Sequence, residues 1–259
     1  MNSLDVLAPF RLDGRTAVVT GASSGLGARF ARVLHAAGAT VVAAARRTER
    51  LAELAAELHG ERLVAVTCDV TREPHLEHLV DAALEVGGGR VDVLVNNAGV
   101  SNIVPAEDEA YDDFRQVVDV NLNALFRLSQ LCARPMLEKG SGSIVNIASM
   151  FGLVGSAPIK QASYCASKGA VVNLTRELGC QWARKGVRVN AIAPGWFPSE
   201  MTEDMWGDEG SEAFIARTAP MARAGAEDEL DGALLFLASD ASTYVTGQIL
   251  AVDGGWTAR

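Results

Sequence analysis

The sequence predicts an α/β fold, a single doubly wound parallel sheet of about seven strands with helices on both faces. Three observations carry this. Short β-rich runs alternate with stretches whose apolar residues recur at helical spacing, as where Thr16–Thr20 gives way to Ala28–Leu34. The run Val91–Val95 is apolar except for Asp92, which suits a strand covered on both faces. The first strand enters the first helix through Thr20-Gly21-Ala22-Ser23-Ser24-Gly25-Leu26-Gly27, a glycine-rich turn. Glycine permits backbone conformations closed to other residues, so the chain can turn tightly and approach a ligand. The turn opens onto a helix N-terminus, whose unpaired N–H groups and positive dipole end suit a pyrophosphate. Its spacing, Gly-x-x-x-Gly-x-Gly, differs from the Gly-x-Gly-x-x-Gly of the commonest dinucleotide fingerprint, and by itself it also fits a purely structural turn.

The elements follow in order. After Thr16–Thr20 a helix runs to about Ala37, and Thr40–Ala45 is the second strand. Leu51, Leu54, Ala55 and Leu58 share one face of a helix ending near Gly60. Leu63–Thr67 is the third strand; Leu76, Leu79, Val80, Ala83 and Leu84 mark the next helix, and Val91–Val95 is the fourth strand. A long helical run from about Tyr111 to Glu138 carries an apolar stripe from Val117 to Leu131. Ser143–Ala148 is the fifth strand, and a glycine-bearing loop from Met150 to Lys160 leads to a helix that Gly186 closes. Val187–Ala193, stopped by Pro194-Gly195, is the sixth. Between Trp196 and Pro220 periodicity fades while Trp196, Phe197, Met201, Met205, Trp206 and Phe214 keep the stretch apolar, the pattern of a mobile lid over a ligand. A helix from Leu230 to Ala238 and a strand at Ile249–Val252 complete the set. No repeat or linker divides the chain, so residues 1–259 read as one domain with a lid at about 196–220.

Composition narrows the function. The 259 residues are 49% hydrophobic, enough for a large core, and the net charge of −9 disfavours nucleic acid or an anionic membrane as partner. Met1 to Arg15 has no sustained apolar core, as a signal peptide would require, and no apolar run is long enough for a bilayer. Cys68, Cys132, Cys165 and Cys180 are scattered without metal-ligand spacing, which points to reduced thiols in a cytoplasmic protein. His75 and His78 share a helix face without further ligands and read as a solvated pair, so no metal is expected.

The chemistry-bearing residues gather at strand ends. After the second strand stand Arg46 and Arg47 with no carboxylate; an acidic residue there suits the ribose of NAD, whereas arginine suits the 2′-phosphate of NADP. NADP(H) is therefore favoured, with NAD(H) possible, although two solvated arginines would look the same. Asp69 and Val70 follow the third strand, where Asp69 could cap the next helix or bond an adenine amino group. Asn96-Asn97-Ala98-Gly99 follows the fourth, a place for a ligand or for a hydrogen-bonded turn. Asn121 lies within a helix, unfavourable unless its amide has partners. Tyr164 and Lys168 sit at i and i+4, on one helical face.

Together, TGASSGLG at 20–27, NNAG at 96–99, Asn121, Ser149, YCASK at 164–168 and PG at 194–195 resemble the short-chain dehydrogenase/reductase family, over about Arg15 to Gly255. The resemblance implies a Rossmann-like fold, a nicotinamide cofactor and a carbonyl or secondary alcohol as the small-molecule substrate. It implies Tyr164 as general acid/base, with Lys168 lowering its pKa and holding the nicotinamide ribose. It also implies Ser149 as hydrogen-bond donor to the substrate oxygen and Asn121 as holder of a proton-relay water. The dinucleotide would lie against Gly21, Ser23, Ser24, Gly25, Leu26, Gly27, Arg46, Arg47, Asp69, Val70, Asn97, Ala98, Gly99, Tyr164, Lys168, Pro194, Gly195, Phe197 and Ser199. Ser199 stands where relatives often carry threonine, at the turn that fixes the nicotinamide face. Many relatives place the serine nearer the tyrosine, at the position of Phe151 here; the strand-end match of Asn146 to Ser149 favours Ser149, with Ser163 as fallback. The family also implies a homodimer or homotetramer through the helices bearing Asn121 and Tyr164. The alternative from another class is a catalytically silent nucleotide-binding regulator on the same fold.

Overall fold

In the computed structural model, residues 5–58 and 62–258 are described; the helix end expected near Gly60 lies outside them. Among the described residues, seven parallel strands form one sheet in the order β3-β2-β1-β4-β5-β6-β7. The strands are β1 (Thr16–Thr20), β2 (Thr40–Ala45), β3 (Leu63–Thr67), β4 (Val93–Asn96), β5 (Gly142–Ile147), β6 (Val187–Pro194) and β7 (Ile249–Val252). The helices are α1 (Gly25–Ala36), α2 (Thr48–Glu57), α3 (Glu73–Val86), α4 (Tyr111–Val118), α5 (Ala124–Lys139), α6 (Ala162–Trp182), α7 (Glu209–Thr218) and α8 (Asp231–Ala238).

Alternation along the strands explains why both faces are covered. In β1, Ala17 and Val19 join one core with Phe30 and Leu34 of α1, Leu51 of α2 and Leu234 and Leu237 of α8. Val18, between them, joins the opposite core with Leu79 of α3, Leu128 and Met136 of α5 and Leu178 of α6. Successive side chains point to opposite faces, so a strand that is apolar throughout can only sit where helices cover both. From β1 the strand order runs outward in both directions, to β2 on one side and β4 on the other. Helix connections cannot fill the gap above such a reversal, and the crevice at the carboxyl ends of β1 and β4 is the natural ligand site.

Two expectations need correction. The run from Tyr111 to Glu138 is not one α-helix: residues Asp119–Asn123 form a wider π turn between α4 and α5. Asn121 is at its centre, fully buried, and its amide is committed to Val100 and Ser167 rather than left within a regular helix. The stretch 196–220, expected to act as a lid, is also more ordered than its fading periodicity suggests. Glu200–Met205 forms a 3₁₀ turn capped reciprocally by Ser199 and Thr202, and α7 follows. Met205, Trp206, Phe214 and Ile215 face inward, whereas Glu203, Asp204, Asp208, Glu209, Glu212 and Arg217 are exposed. Helices this short bury too few turns to set up a readable period.

Candidate active site

Tyr164 and Lys168 occupy one face of α6, with the Lys168 ammonium 5.7 Å from the centre of the Tyr164 ring. Lys168 is buried and its Nζ donates to the Ile147 carbonyl at 2.7 Å, so the end of β5 holds the lysine in place. Directly beyond that carbonyl comes Ser149, which caps a 3₁₀ turn at Met150–Gly152 by accepting from the Phe151 N–H at 3.1 Å. That turn presses against α6 at Gly152, where a Cβ would stand 2.6 Å from the Lys168 carbonyl oxygen. Only a glycine lets the two segments approach so closely, and the approach delivers Ser149 to Tyr164. Ser163, the fallback, is fully buried and bonds Glu109 instead.

Electrostatics in the site are dominated by burial. Desolvation pushes the Tyr164 hydroxyl above the ordinary phenol value, while a hydrogen bond from Ser149 favours the phenolate. The same desolvation draws the Lys168 ammonium down to about 8. The lowering of the Tyr164 pKa expected from Lys168 is therefore not what sets it here: stripping water from the phenol raises its pKa, and the opposing influence is the Ser149 hydrogen bond, which is the weaker of the two.

Asn121 stands behind the cavity wall. Its Oδ1 accepts from the Val100 N–H at 2.9 Å, and its Nδ2 donates to the Val100 carbonyl at 2.9 Å and the Ser167 hydroxyl at 3.0 Å. Ser167 in turn donates to the Tyr164 carbonyl at 2.8 Å. The asparagine therefore ties the loop after β4 to α6. Gly99 fills the space between: a Cβ there would lie 3.3 Å from Asn121 Oδ1 and 3.6 Å from Lys168 Nζ.

A cleft of about 760 Å³ runs from Ser149, Tyr164 and Lys168 along the carboxyl ends of the strands to Arg46, Arg47 and Asp69. Every residue expected to contact the dinucleotide lines it; of the four expected catalytic residues, Asn121 alone does not. The cradle at its centre fits a pyrophosphate. Gly21 and Gly25 have φ of +67° and +48°, in the left-handed region. A Cβ on Gly21 would lie 2.8 Å from Asn97 Nδ2, and one on Gly27 would run into the Gly21 carbonyl. Ser24 precedes α1 without spending its side chain as a cap, so the first turn of N–H groups faces the cleft. Asn97 braces the turn, its Nδ2 donating to the Thr20 carbonyl at 2.9 Å, while Thr20 Oγ1 accepts from the Asn97 and Ala98 N–H groups.

The two arginines divide. Arg46 stands near Asp69, whose carboxyl is held below the usual range: desolvation opposes ionisation, but hydrogen bonds from Thr71 and the charge of Arg46 outweigh it. Arg47 turns toward the glycine turn, with Nη2 2.7 Å from Ser24 Oγ and 3.0 Å from Ser23 Oγ. Asp69 caps no helix; its Oδ1 accepts from the Thr71 N–H and hydroxyl, and α3 begins after Arg72. His75 is not simply solvated, since its Nδ1 accepts from the Asp69 N–H at 3.1 Å. Ser199 bonds Thr202 and caps the lid's first turn. Among the described residues, no cluster of His, Cys, Asp or Glu could hold a metal ion, and no helix is long and apolar enough to cross a membrane.

Sequence reasoning missed several members. The Ile147 carbonyl acts through an ordinary strand-end group that no motif flags, and Thr20, though inside TGASSGLG, reads from the sequence only as the end of a strand. Glu200 and Met201 line the cleft from the lid, and Asp112, Arg115, Gln116 and Asp119 form its rim on α4 and the π turn. Met201 belongs to the apolar stretch expected over a ligand; for Glu200, the carboxylate next to Ser199, nothing local says where it reaches.

The arrangement is that of a dinucleotide-dependent oxidoreductase. A family model described as enoyl-(acyl carrier protein) reductase matches residues 21–257. The chain is 41% identical over 253 residues to 2-dehydro-3-deoxy-D-gluconate 5-dehydrogenase of Bacillus subtilis (strain 168), covering 96% of this chain and 97% of the relative. It is 43% identical over 256 residues to galactitol 2-dehydrogenase (L-tagatose-forming) of Cereibacter sphaeroides, covering 98% and 99%. The crystal structure of a gluconate 5-dehydrogenase from Burkholderia cenocepacia J2315 in complex with NADP and tartrate superposes with a TM-score of 0.92 at 38% identity, covering 98% of this chain and 100% of that one. The chain belongs to the short-chain dehydrogenase/reductase family. It is an NAD(P)-dependent enzyme that moves hydride between a nicotinamide cofactor and a carbonyl or secondary alcohol, and these relatives lend no support to a silent regulator.

Proposed function

We propose that the enzyme is an NADP(H)-preferring alcohol–ketone oxidoreductase in which Tyr164 exchanges the substrate proton. The observation that carries this reading is the convergence of Ser149, Tyr164 and Lys168 at one end of a cleft whose other end presents Arg47 beside the glycine turn. The bound cofactor supplies or accepts the hydride. Tyr164 donates a proton to the carbonyl oxygen in reduction and takes it back in oxidation. Ser149 donates a hydrogen bond to the same oxygen, where negative charge develops. Lys168, ammonium through neutral pH, holds the nicotinamide ribose and replenishes the Tyr164 proton, with Asn121 anchoring the relay behind it. Gly21, Ser23, Ser24, Gly25, Leu26 and Gly27 cradle the pyrophosphate; Arg47, with Arg46, takes the 2′-phosphate. Asp69 and Val70 border the adenine, Asn97, Ala98 and Gly99 the adjoining sugar, and Pro194, Gly195, Phe197 and Ser199 the carboxamide.

Residues 1–259 work as one domain with a substrate lid at 196–220. The lid's Trp206 and Phe214 join Phe151, Trp196 and Trp256 in an aromatic cluster against Tyr164 that anchors the lid on the body, while Phe197 and Met201 are its apolar residues facing the cleft. The relatives' names add alditols and sugar acids to the candidates. Tyr111 and Phe126, exposed on α4 and α5, and Tyr244 and Leu250, exposed around the β7 edge, are apolar surface for a homodimer or homotetramer in the cytoplasm. A panel of ketones, alditols and aldonates, followed by nicotinamide absorbance with both cofactors, tests the reading. Turnover with NADPH well above NADH is the expected result, and a strong NADH preference overturns the cofactor assignment.

A further inference from the structure

Glu200, the first residue of the 3₁₀ turn in the lid, reaches across the cleft and grips the arginine that faces the glycine turn. Arg47 Nη1 lies 2.8 Å from Glu200 Oε1 and Nη2 lies 2.8 Å from Oε2, a bidentate fork. Ser24 donates to the same carboxylate, at 2.8 Å from Oε2. The remaining Arg47 donor, Nε, is 3.2 Å from Ser23 Oγ. All of Arg47's nitrogens are therefore engaged, two of them by one anion. Glu200, Ser23, Ser24 and Arg47 all line the cleft, so these contacts stand within the space available to a ligand.

We propose that Glu200 is an internal competitor for the 2′-phosphate subsite and sets how strongly the enzyme distinguishes NADP from NAD. This rests on the assignment of Arg47 to the 2′-phosphate. A carboxylate and a phosphate use the same planar fork of a guanidinium, and they repel each other when brought to it together. A dinucleotide carrying a 2′-phosphate has to displace Glu200 from Arg47; one with a free 2′-hydroxyl does not. The contact is also the lid's attachment: Glu200 opens the 3₁₀ turn that Ser199 and Thr202 cap, so letting go of Arg47 loosens the base of the lid. Two anions thus compete for one arginine, and the outcome decides whether Arg47 holds the base of the lid or the cofactor. The pair is about half-exposed, with side-chain exposures of 44% and 50%, which limits the competition to a modest factor.

Binding to the cofactor-free protein tests this without turnover. Dissociation constants for 2′,5′-ADP and for 5′-AMP are measured calorimetrically on the parent, Glu200→Gln, Glu200→Ala and Arg47→Ala. Both Glu200 variants are expected to bind 2′,5′-ADP about two- to fivefold tighter, the range an exposed ion pair allows, with 5′-AMP affinity unchanged from the parent. If Arg47→Ala weakens 2′,5′-ADP while neither Glu200 variant tightens it, the competition is refuted and the Arg47 assignment stands. If Arg47→Ala leaves 2′,5′-ADP unchanged, the underlying cofactor assignment fails and the proposal with it. An equal gain for both nucleotides also overturns the proposal, because it would reflect general charge rather than a shared site.

Discussion

The two ends of the cleft are built on opposite principles. At the glycine turn, the proposed function depends on side chains that are not there: Gly21 and Gly27 leave no room for a methyl group, and the groups proposed to bind are backbone N–H donors at the start of α1. Around Tyr164, function depends on side chains that are present and deprived of water, with Lys168 and Ser149 both buried. One end is limited by space, the other by the cost of keeping polar groups dry. Substitutions at the first should therefore change shape and stability, and at the second, proton chemistry.

The largest effect expected is at the dry end. Tyr164→Phe keeps the ring and its packing but removes the exchanging proton, and turnover should fall by about 10²–10⁴ or more while dinucleotide affinity stays at the parent level. Near-parental turnover would remove the acid–base assignment. Ser149→Ala should lower kcat by about 10²–10³ by deleting a donor to the developing charge. Because the serine hydrogen bond holds the Tyr164 pKa down, its loss should also move the rising limb of the alcohol-oxidation pH profile, where Tyr164 must lose its proton, to higher pH; an unmoved limb would contradict the Ser149–Tyr164 coupling.

Lys168 is expected to trade stability for function. Its ammonium titrates near 10.5 when unfolded and about 8 in the fold, so between those values the unfolded chain holds the extra proton. Stability from this group therefore rises with pH across that window, and below about pH 8 burying the charge costs at most about 3 kcal/mol. Lys168→Met should be inactive yet melt higher than the parent at pH 7, with the gap closing towards pH 10. A parent that melts higher at pH 7 would show that the bond to Ile147 outweighs desolvation.

The smallest effect belongs to the glycine turn. Gly27→Ala should destabilise the fold by about 1–3 kcal/mol through overpacking against Gly21 and Asn97, and should weaken nucleotide binding. A variant that melts normally and binds normally would show that the turn has slack, and the contrast between the two ends would disappear.

Much of this was readable from residue order because it rests on local rules. Strand alternation, the apolar run before Asn96 and the glycine turn each follow from a few neighbouring residues, and TGASSGLG and YCASK mark the two ends of the cleft. What escaped was long-range or context-dependent. Asn121 was legible as a polar residue needing partners, but not as the centre of a π turn, because its amide bonds go to Val100 and Ser167 in other segments. The lid's two short helices escaped because their inward faces are set by packing on Phe151 and Trp256, not by their own period.

The chain order alone determined a parallel sheet with a ligand site at the carboxyl ends of its strands, since periodicity and glycine chemistry act over a few residues. The tertiary structure decided the electrostatics: how far burial raises Tyr164 and lowers Lys168, and that Glu200, 153 positions away, grips Arg47. Desolvation and ion pairing depend on what surrounds a group in space, and separation along the chain carries no record of it.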